Sequence, residues 1–159
     1  MISIAAASIS KIIGKGGGLP WPKISEDFKF FKSLTLEREY CLVGKTTFLT
    51  IPNLKGRKFI VVTNDSSSLP SSGKNMNGAE ISDVISPQEM SLLADLSFVC
   101  IGGAKTYEAA FPYCSDFFLT IVKHHYTGDV ELPKFTHLFK PVTQIFSNAD
   151  IDIIHYARR

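Results

Sequence analysis

The sequence has few of the residues that would mark a metal, disulfide or covalent-catalysis protein. It contains three cysteines without a CxxC pair and four histidines, of which only His124 and His125 are adjacent. Adjacent residues on a strand point to opposite faces, so this pair cannot form the i, i+4 ligand set of a helix. The chain also lacks the G-x-S-x-G signature of a serine nucleophile. We therefore expect no metal site and no covalent intermediate.

Clusters of charge and long apolar runs are also missing. The 17 Lys and Arg residues are scattered and nearly balanced by 15 Asp and Glu, which leaves a net charge of +2. A nucleic-acid-binding domain usually carries a basic patch or stripe, so we expect no such partner. No apolar run is long enough to span a membrane, and MISIAAASIS lacks the basic start of a secretory signal. An odd number of cysteines in such a chain favours a reducing compartment, so we expect a cytoplasmic protein.

Apolar β-rich runs alternate with short helical patterns along the chain. The predicted strands are 2–9, 40–44, 58–63, 97–101 and 117–122. The predicted helices run from a Ser25 cap to Leu34, from Lys45 to Ile51, from the Ser86 capping box to about Asp95, and over 104–110. Residues 64–78, rich in Ser, Asn and Gly, are predicted to form a surface loop.

This alternation is typical of an α/β fold with a mostly parallel central sheet and helices on both faces. No helix separates the last strands, so we expect an antiparallel C-terminal strand to finish the sheet. Ile151, Ile153 and His155 then face one way in the tail, and Asp152, Ile154 and Tyr156 face the other. Without repeats or linkers, the chain is expected to form a single domain over 1–159.

Two junctions between a strand and a helix, VGKTTF at 43–48 and CIGGAKTY at 100–107, carry glycines. Helix N-termini offer free N–H groups, and glycine lets a ligand approach the backbone. Neither junction matches a standard motif, because position 39 is Glu where GxxxxGK[ST] needs Gly, and IGGAKT is not GxGxxG. The residues alone leave two readings open: a pair of phosphate cradles, or two tight turns.

Two charged residues have similarly open roles. Asp27 lies in the first predicted turn of a helix rich in aromatic residues, where it either complements the helix dipole or lies at the edge of a pocket. Arg57 follows a Lys-Gly turn and is either solvated or part of a binding site.

The ordered set IAAAS, IIGKGGGLPWP, EDFKFFK, VGKTTF, LKGRKFIVVT, CIGGAKTYEAAFP, FFLTIV and GDVELP resembles dihydrofolate reductase. The resemblance covers about residues 2–133, and its most specific part is LPW with an acid six residues after the tryptophan, followed by GRK and IGG. It implies reduction of 7,8-dihydrofolate to 5,6,7,8-tetrahydrofolate with NADPH, in a monomer that antifolate inhibitors bind.

The resemblance also assigns roles to individual residues. It makes Asp27 the buried carboxylate that holds the pterin, supported by a hydrogen bond from Thr120, while Trp21 walls the site and helps to order a water molecule. Arg57 pairs with the carboxylate of the substrate's glutamate tail, and Ile4 and Ile101 offer backbone carbonyls to the pterin. The substrate-binding positions are Ile4, Ala6, Leu19, Phe28, Phe31, Ile51, Leu54, Arg57, Ile101 and Tyr107.

For the cofactor, the resemblance implies two phosphate cradles at the glycine junctions and a cis peptide between Gly102 and Gly103. Lys45, Thr63 and Asn64 hold the 2′-phosphate, mainly through Lys45 because Asn64 is a weak phosphate ligand. The cofactor-binding positions are Ala6, Ile13, Gly18, Leu19, Gly44, Lys45, Thr46, Thr47, Thr63, Asn64, Gly102, Gly103, Ala104, Lys105, Thr106 and Tyr107.

The segment GKGGGLPWP at 14–22 corresponds to a mobile loop that closes over the site, in which Leu19 excludes water. Glycine is entropically costly to order, which is acceptable in a loop that opens on each turnover. We expect Ala at both Gly16 and Gly17 to leave the thermal midpoint unchanged or slightly higher wherever φ permits.

Two other functions remain open from the sequence. One is the pteridine-like reductase of riboflavin synthesis, which shares the fold but has no need for Arg57 or for the acid in EDFKFFK. The other is a catalytically silent protein that binds a pterin or a nucleotide.

Overall fold

The computed structural model describes residues 1–159. The strands are β1 (Ile2–Ser8), β2 (Ile12–Gly14), β3 (Tyr40–Gly44), β4 (Phe59–Val62), β5 (Ile81–Ile85), β6 (Phe98–Cys100), β7 (Asp116–Val122), β8 (Val130–Glu131), β9 (Phe139–Ser147) and β10 (Ile151–Arg158). The helices are α1 (Ser25–Leu36), α2 (Lys45–Phe48) and α3 (Ala104–Ala110), with 3₁₀ turns over Pro87–Leu93 and Phe111–Tyr113.

Eight strands form the central sheet in the order β5-β4-β3-β6-β1-β7-β10-β9, and β2 pairs separately with β8. The strands from β5 to β7 in that order are all parallel, and β10 lies antiparallel to both β7 and β9. The predicted α/β fold with an antiparallel C-terminal strand is therefore confirmed.

Apolar clusters cover both faces of the sheet, and β1 contributes to each through its alternating side chains. Ala5 and Ala7 belong to one cluster, which also contains Phe111. Ile2 and Ile4 belong to another, in which Phe48 of α2 is fully buried. Alternation of this kind is what a strand buried on both faces requires, because successive side chains point in opposite directions.

The order of the strands places the two glycine junctions side by side. α2 follows β3 and α3 follows β6, and these two strands are direct neighbours in the sheet. Because both strands run in the same direction, their carboxyl ends meet at one edge. This is the edge at which open α/β sheets bind ligands.

The predicted cap at Ser25 is wrong by one residue. Ser25 is the first helical residue of α1, and Ile24 takes the N-cap position without a side-chain cap bond. The amide of Phe28 donates to the carbonyl of Ile24 at 3.1 Å. Ile24 packs against the buried cluster around Trp21, so tertiary packing rather than a capping hydroxyl decides where the helix begins.

The element after Ser86 is a 3₁₀ helix rather than an α-helix. The amide of Ser86 donates to Glu89 Oε1 at 3.0 Å, as a capping box requires. Met90 is fully buried and Leu93 packs against the same core, a spacing of three that suits a 3₁₀ helix. The predicted helix over Lys45–Ile51 is also shorter in the structure, and α2 ends at Phe48.

Candidate active site

Asp27 lies in the first turn of α1, and it is partly buried. Burial raises the pKa of Asp27, and the hydroxyl of Thr120 on β7 opposes that effect. Burial also raises the pKa of Tyr107 on α3, with smaller contributions from Cys100 and from the charge of Asp27. Three separate elements therefore bring Asp27, Thr120 and Tyr107 to one place.

Thr120 brings an unused hydroxyl to this place. Its Oγ1 is buried and makes no hydrogen bond, although it is near enough to Asp27 to lower the pKa of that carboxyl group. Thr120 lies directly opposite Ala6 in the pairing of β7 with β1. A buried hydroxyl without a full partner is energetically costly, so Thr120 is available to a carboxylate or a ligand that comes closer.

Tyr107 ties α3 to the first strand. Its buried hydroxyl donates to the carbonyl oxygen of Ile4 at 2.7 Å, and its ring stacks on Phe111 with centroids 5.8 Å apart. The Ile4 carbonyl, which the resemblance directs to the pterin, already accepts one hydrogen bond. A carbonyl oxygen has two lone pairs, so a ligand at this carbonyl would share it with the Tyr107 hydroxyl.

Most of the apolar positions assigned to the substrate pocket come together in one cluster. Ile4 is buried in it, and the partly buried Phe31, Ile51, Leu54 and Ile101 pack against it. The side chains of Phe28 and Leu19 stay outside the cluster and are 38% and 49% exposed. These two residues are available to cover a ligand rather than to form the floor of its pocket.

Arg57 carries a charge that nothing in the chain balances. Its Nε and Nη1 atoms are buried and have no hydrogen-bond partner, and Arg57 takes part in no salt bridge. Burial raises the pKa of Cys41 to about 12, and the nearby Arg57 acts in the opposite direction. A buried cation is stable only with an anion or acceptor beside it, so Arg57 is suited to a ligand carboxylate.

The two glycine junctions are in direct backbone contact. The peptide between Gly102 and Gly103 is cis, as the resemblance implies. The amide of Gly44 donates to the carbonyl of Gly102 at 2.8 Å. A Cβ on Gly44 would collide with Thr106 Oγ1, and one on Gly102 would lie 3.0 Å from the ring of Tyr107. Glycine is therefore needed at both positions for the junctions to approach each other.

The start of α3 leaves a row of backbone donors unused. The amides of Gly103, Ala104, Lys105 and Thr106 donate to no backbone carbonyl, and α3 has no side-chain cap. Free amides in a glycine-rich turn suit the oxygens of a phosphate or pyrophosphate. The residues present thus fit the dinucleotide that the resemblance implies, and Lys105, which is exposed, adds a positive charge.

The glycine segment forms a tight turn in which Lys15 pairs with Gly18. The amide of Gly16 donates to Asp129 Oδ2 at 3.3 Å, and Ile13 of β2 packs against the main core. Trp21 is buried beyond the turn.

Trp21 belongs to a cluster formed with Val122, Ile151 and Ile153, and its ring meets that of Tyr126 edge-on at 5.9 Å. Ala6 packs against this cluster, which connects Trp21 with the strand that carries the site. The tryptophan therefore anchors the C-terminal end of the glycine segment, while the turn itself is exposed.

The condition set for alanine at Gly16 and Gly17 is not met, because their φ angles do not permit it. These angles are +57° and +85°, a left-handed region that costs an ordinary residue about 1–2 kcal/mol. The φ of Gly18 is not positive, and a Cβ there meets only the Lys15 carbonyl at 4.0 Å.

We expect Gly17→Ala to lower the free energy of unfolding by about 1–2 kcal/mol, while the matched Gly18→Ala variant stays within about 0.5 kcal/mol of the parent. Urea denaturation of the three proteins measures the difference. Identical unfolding midpoints would mean that the left-handed turn is not kept in solution.

The residues assigned to the 2′-phosphate are close together, but an acid that was not predicted lies among them. Lys45 Nζ lies 3.3 Å from the Asp65 carbonyl and 3.7 Å from its Oδ2. Thr63 Oγ1 donates to the Asp65 carbonyl and accepts from the Asp65 amide, both at 3.0 Å. Asn64 is exposed. An acid just beyond the end of a parallel strand was a signal in the sequence that could have identified Asp65.

A second group that was not predicted holds α2 in place. Asn75 is buried within the otherwise irregular 64–78 segment and donates to the carbonyls of Phe48 and Ile51 at 2.7 and 2.9 Å. Asn77 donates to the carbonyls of Thr50 and Ile51 at 3.1 and 3.0 Å. These bonds satisfy carbonyls at the end of a very short helix and fix Ile51 in the pocket wall.

The chain contains neither a metal-binding cluster nor a membrane-spanning helix. No group of three or more His, Cys, Asp or Glu side chains is arranged to hold a metal ion. None of the helices has both the length and the apolar character needed to cross a membrane.

Comparison with known proteins assigns the chain to a family. A sequence model described as dihydrofolate reductase matches residues 1–157. The type 8 dihydrofolate reductase of Escherichia coli is 33% identical over 132 residues, which cover 80% of this chain and 76% of that protein. The dihydrofolate reductase of Bacillus subtilis is 33% identical over 145 residues, covering 85% and 77%. The chain belongs to the dihydrofolate reductase family.

A solved structure has the same fold. Dihydrofolate reductase from Enterococcus faecalis, in complex with NADP(H) and RAB-propyl, superposes with a TM-score of 0.78 at 23% sequence identity. The match covers 99% of this chain and 95% of the other.

Proposed function

We infer that the chain catalyses the NADPH-dependent reduction of 7,8-dihydrofolate to 5,6,7,8-tetrahydrofolate, with hydride added at pterin C6 and a proton at N5. The observation that carries this inference is Asp27, a carboxyl group whose pKa is raised by burial next to Thr120 and Tyr107. A general acid that works near neutral pH needs a pKa shifted in this direction. The proton at N5 is required because hydride addition to a neutral imine would leave an unstabilised anion.

Bound NADPH supplies the hydride, and the protein supplies binding and alignment. The free amides of Gly103, Ala104, Lys105 and Thr106 would hold its pyrophosphate, and Gly44, Lys45, Thr46 and Thr47 would form the second cradle at the neighbouring junction of β3 with α2. Leu19 and Tyr107 are assigned to the nicotinamide, and Ala6, Ile13 and Gly18 are further cofactor-binding positions. The close approach of Gly44 to Gly102 supports this assignment, since any Cβ there would close the space between the cradles.

Asp27 has two functions in this mechanism. Its carboxyl group accepts hydrogen bonds from the 2-amino group and N3 edge of the pterin, and it holds the proton that N5 acquires, given directly or through a water molecule beside Trp21. The Thr120 hydroxyl, which has no hydrogen-bond partner in the chain, would donate to Asp27 and keep the carboxyl group oriented. Leu19 and Phe28, whose side chains are exposed, cover the bound ring and exclude bulk water.

Arg57 binds the other end of the substrate. Its guanidinium, two of whose nitrogens are buried without a partner, matches the carboxylate of the glutamate tail, while Phe31, Ile51 and Leu54 would contact the part between the tail and the pterin. This pairing would neutralise a buried charge, and it distinguishes a folate from a pterin without a tail.

The other two functions are disfavoured by the same residues. A pteridine-like reductase of riboflavin synthesis has no need for Asp27 or Arg57, and a silent binding protein has no need for an acid of raised pKa. One assay separates the three, namely the loss of NADPH absorbance with dihydrofolate and its inhibition by an antifolate such as methotrexate. Turnover that requires a riboflavin precursor, or no turnover at all, would contradict the proposal.

Three expectations extend the proposal to the whole molecule. We infer that residues 1–159 act as one domain, that the protein works as a monomer, and that its location is the cytoplasm. The small net charge and the three buried thiols are consistent with this description. Sedimentation at micromolar concentration would test the oligomeric state.

Lys45→Ala is expected to lower the preference for NADPH over NADH. Of the three residues assigned to the 2′-phosphate, Lys45, Thr63 and Asn64, only Lys45 is a cation. A 2′-phosphate carries about two negative charges at neutral pH. The measurement is the ratio of kcat/KM for the two cofactors, with the exposed Lys55→Ala as a control that removes the same charge elsewhere. An unchanged ratio would remove Lys45 from the 2′-phosphate site.

A further inference from the structure

Asp65 lies at the centre of the group assigned to the 2′-phosphate and engages two of its three members. Lys45 Nζ contacts both the carbonyl and the carboxylate of Asp65, at 3.3 and 3.7 Å. The hydroxyl of Thr63 is shared between the amide and the carbonyl of Asp65. Lys45 and Thr63 are the two residues best suited to bind a phosphate, and both already contact Asp65. Lys45 contacts its carbonyl and its carboxylate, and Thr63 contacts its backbone.

The Asp65 carboxylate is held in place. Ser67 donates to Asp65 Oδ1 through its amide at 3.0 Å and through its hydroxyl at 2.5 Å. These two bonds, followed by the smaller effect of Lys45, lower the pKa of Asp65, so the side chain is ionised at neutral pH. The carboxylate is 64% exposed and Lys45 is 25% exposed, so an incoming nucleotide can reach the pair.

A 2′-phosphate and a 2′-hydroxyl would meet this arrangement differently. The phosphate carries about two negative charges at neutral pH and must draw Lys45 away from Asp65 while it approaches a fixed carboxylate. The hydroxyl carries no charge and can donate a hydrogen bond to the same carboxylate. An acid just beyond a parallel strand serves dinucleotide enzymes in this way when they use the cofactor without a 2′-phosphate.

We propose that Asp65 is a specificity-determining residue that weakens recognition of the 2′-phosphate and so narrows the preference of this enzyme for NADPH over NADH. The proposal rests on the assignment of Lys45 to the 2′-phosphate site. The carboxylate of Asp65 competes with the phosphate for Lys45 and repels the phosphate directly, whereas Thr63 is engaged only by the backbone of Asp65.

The test is binding of two small nucleotides to the enzyme without cofactor, measured by isothermal titration calorimetry. Adenosine 2′,5′-bisphosphate and adenosine 5′-monophosphate differ only in the 2′-phosphate. In Asp65→Asn, Oδ1 can still accept from Ser67, so the local turn is retained while the charge is lost. We expect about threefold to tenfold tighter binding of the bisphosphate, with little change for the monophosphate, from the size of exposed charge interactions.

Asp150→Asn is the matched control, because it removes the same charge from the turn between β9 and β10, away from α2. The effect of Asp65→Asn should shrink as salt is raised from about 0.05 to 0.5 M, since exposed charges are screened. The ratio of kcat/KM for NADPH to that for NADH should rise by a similar factor in Asp65→Asn.

Lys45→Ala tests the assignment of Lys45 to the 2′-phosphate site separately from the role proposed for Asp65. If it weakens the bisphosphate selectively and Asp65→Asn changes neither ligand, the phosphate site is right and the role of Asp65 is wrong. If neither substitution changes the affinity for the bisphosphate, the phosphate does not bind here and both proposals fail. If Asp65→Asn tightened binding of the bisphosphate and of the monophosphate by the same factor, the proposal would also be wrong, because the effect of Asp65 would not depend on the 2′-phosphate.

Discussion

Asp27→Asn is expected to slow hydride transfer at pH 7 by about 10²- to 10⁴-fold, the usual contribution of a general acid. The substitution keeps the size of the side chain and part of its hydrogen bonding but removes the proton that N5 must acquire. Stopped-flow measurement of the hydride step with NADPH and dihydrofolate gives the rate without the contribution of product release.

The pH profile separates an acid from a purely electrostatic residue. The activity of Asp27→Asn should recover as the pH falls, because substrate that is protonated at N5 in solution no longer needs a proton from the enzyme. Affinity for NADPH should hardly change. Glu26→Gln is the matched control, since Glu26 is the other acid in the first turn of α1. Equal losses in the two variants, with unaltered pH profiles, would reduce Asp27 to a residue that complements the helix dipole.

The same substitution should also change stability, with a sign set by the raised pKa of Asp27. Below the unfolded value of 3.8 the carboxyl group is neutral in both states and has no effect. As the pH rises from 3.8 to the folded pKa, the unfolded state ionises while the folded state keeps its proton, so the folded state loses stability over this range, and the loss is complete once the pH has passed the folded pKa. Asp27→Asn avoids this cost, so its thermal midpoint should exceed that of the parent at pH 7 and converge with it under acidic conditions.

The interior of the fold could be predicted from the sequence, whereas its edges could not. β1, β3, β4, β6 and β7 are buried strands, and their continuous apolar runs distinguish them from the surrounding loops. β5 and β9 lie at the two edges of the sheet and are largely exposed. Their sequences, ISDVI and FKPVTQIFS, mix apolar and polar residues without a buried run, and only pairing with a neighbouring strand defines them.

The candidate site also has residues that the sequence predicts and residues that it does not. Asp27, Arg57 and the glycine junctions follow from the resemblance, because each needs one residue type at a fixed place. Asp65 and Asn75 lie in the Ser- and Asn-rich stretch after β4, where polar residues are expected in any case. Only the bonds to the end of α2 reveal the role of Asn75, whereas the place of Asp65 just beyond β4 was a signal whose meaning the contact with Lys45 makes clear. The left-handed φ of Gly17 likewise comes from the geometry of the turn and not from its composition.

Arg57→Leu is expected to raise KM for dihydrofolate by about 10- to 100-fold. A hydrogen bond to a charged group contributes about 1.5–3 kcal/mol, and about 1.4 kcal/mol corresponds to a factor of ten. The kcat should change much less, because the glutamate tail lies away from the reacting ring. Affinity for a pterin without the tail should stay near that of the parent, and this difference between the two ligands is the measurement.

Two further variants isolate the charge and geometry of Arg57 from the effect of removing a buried side chain. Arg57→Lys keeps the charge but loses the forked donor, so it should recover only part of the affinity for dihydrofolate. Arg38→Leu is the matched control, because Arg38 also has a buried Nε without a partner but is not assigned to the pocket. We expect Arg38→Leu to leave KM for both ligands unchanged. If Arg57→Leu weakens dihydrofolate and the tailless pterin equally, Arg57 supports the pocket structurally and does not bind the tail.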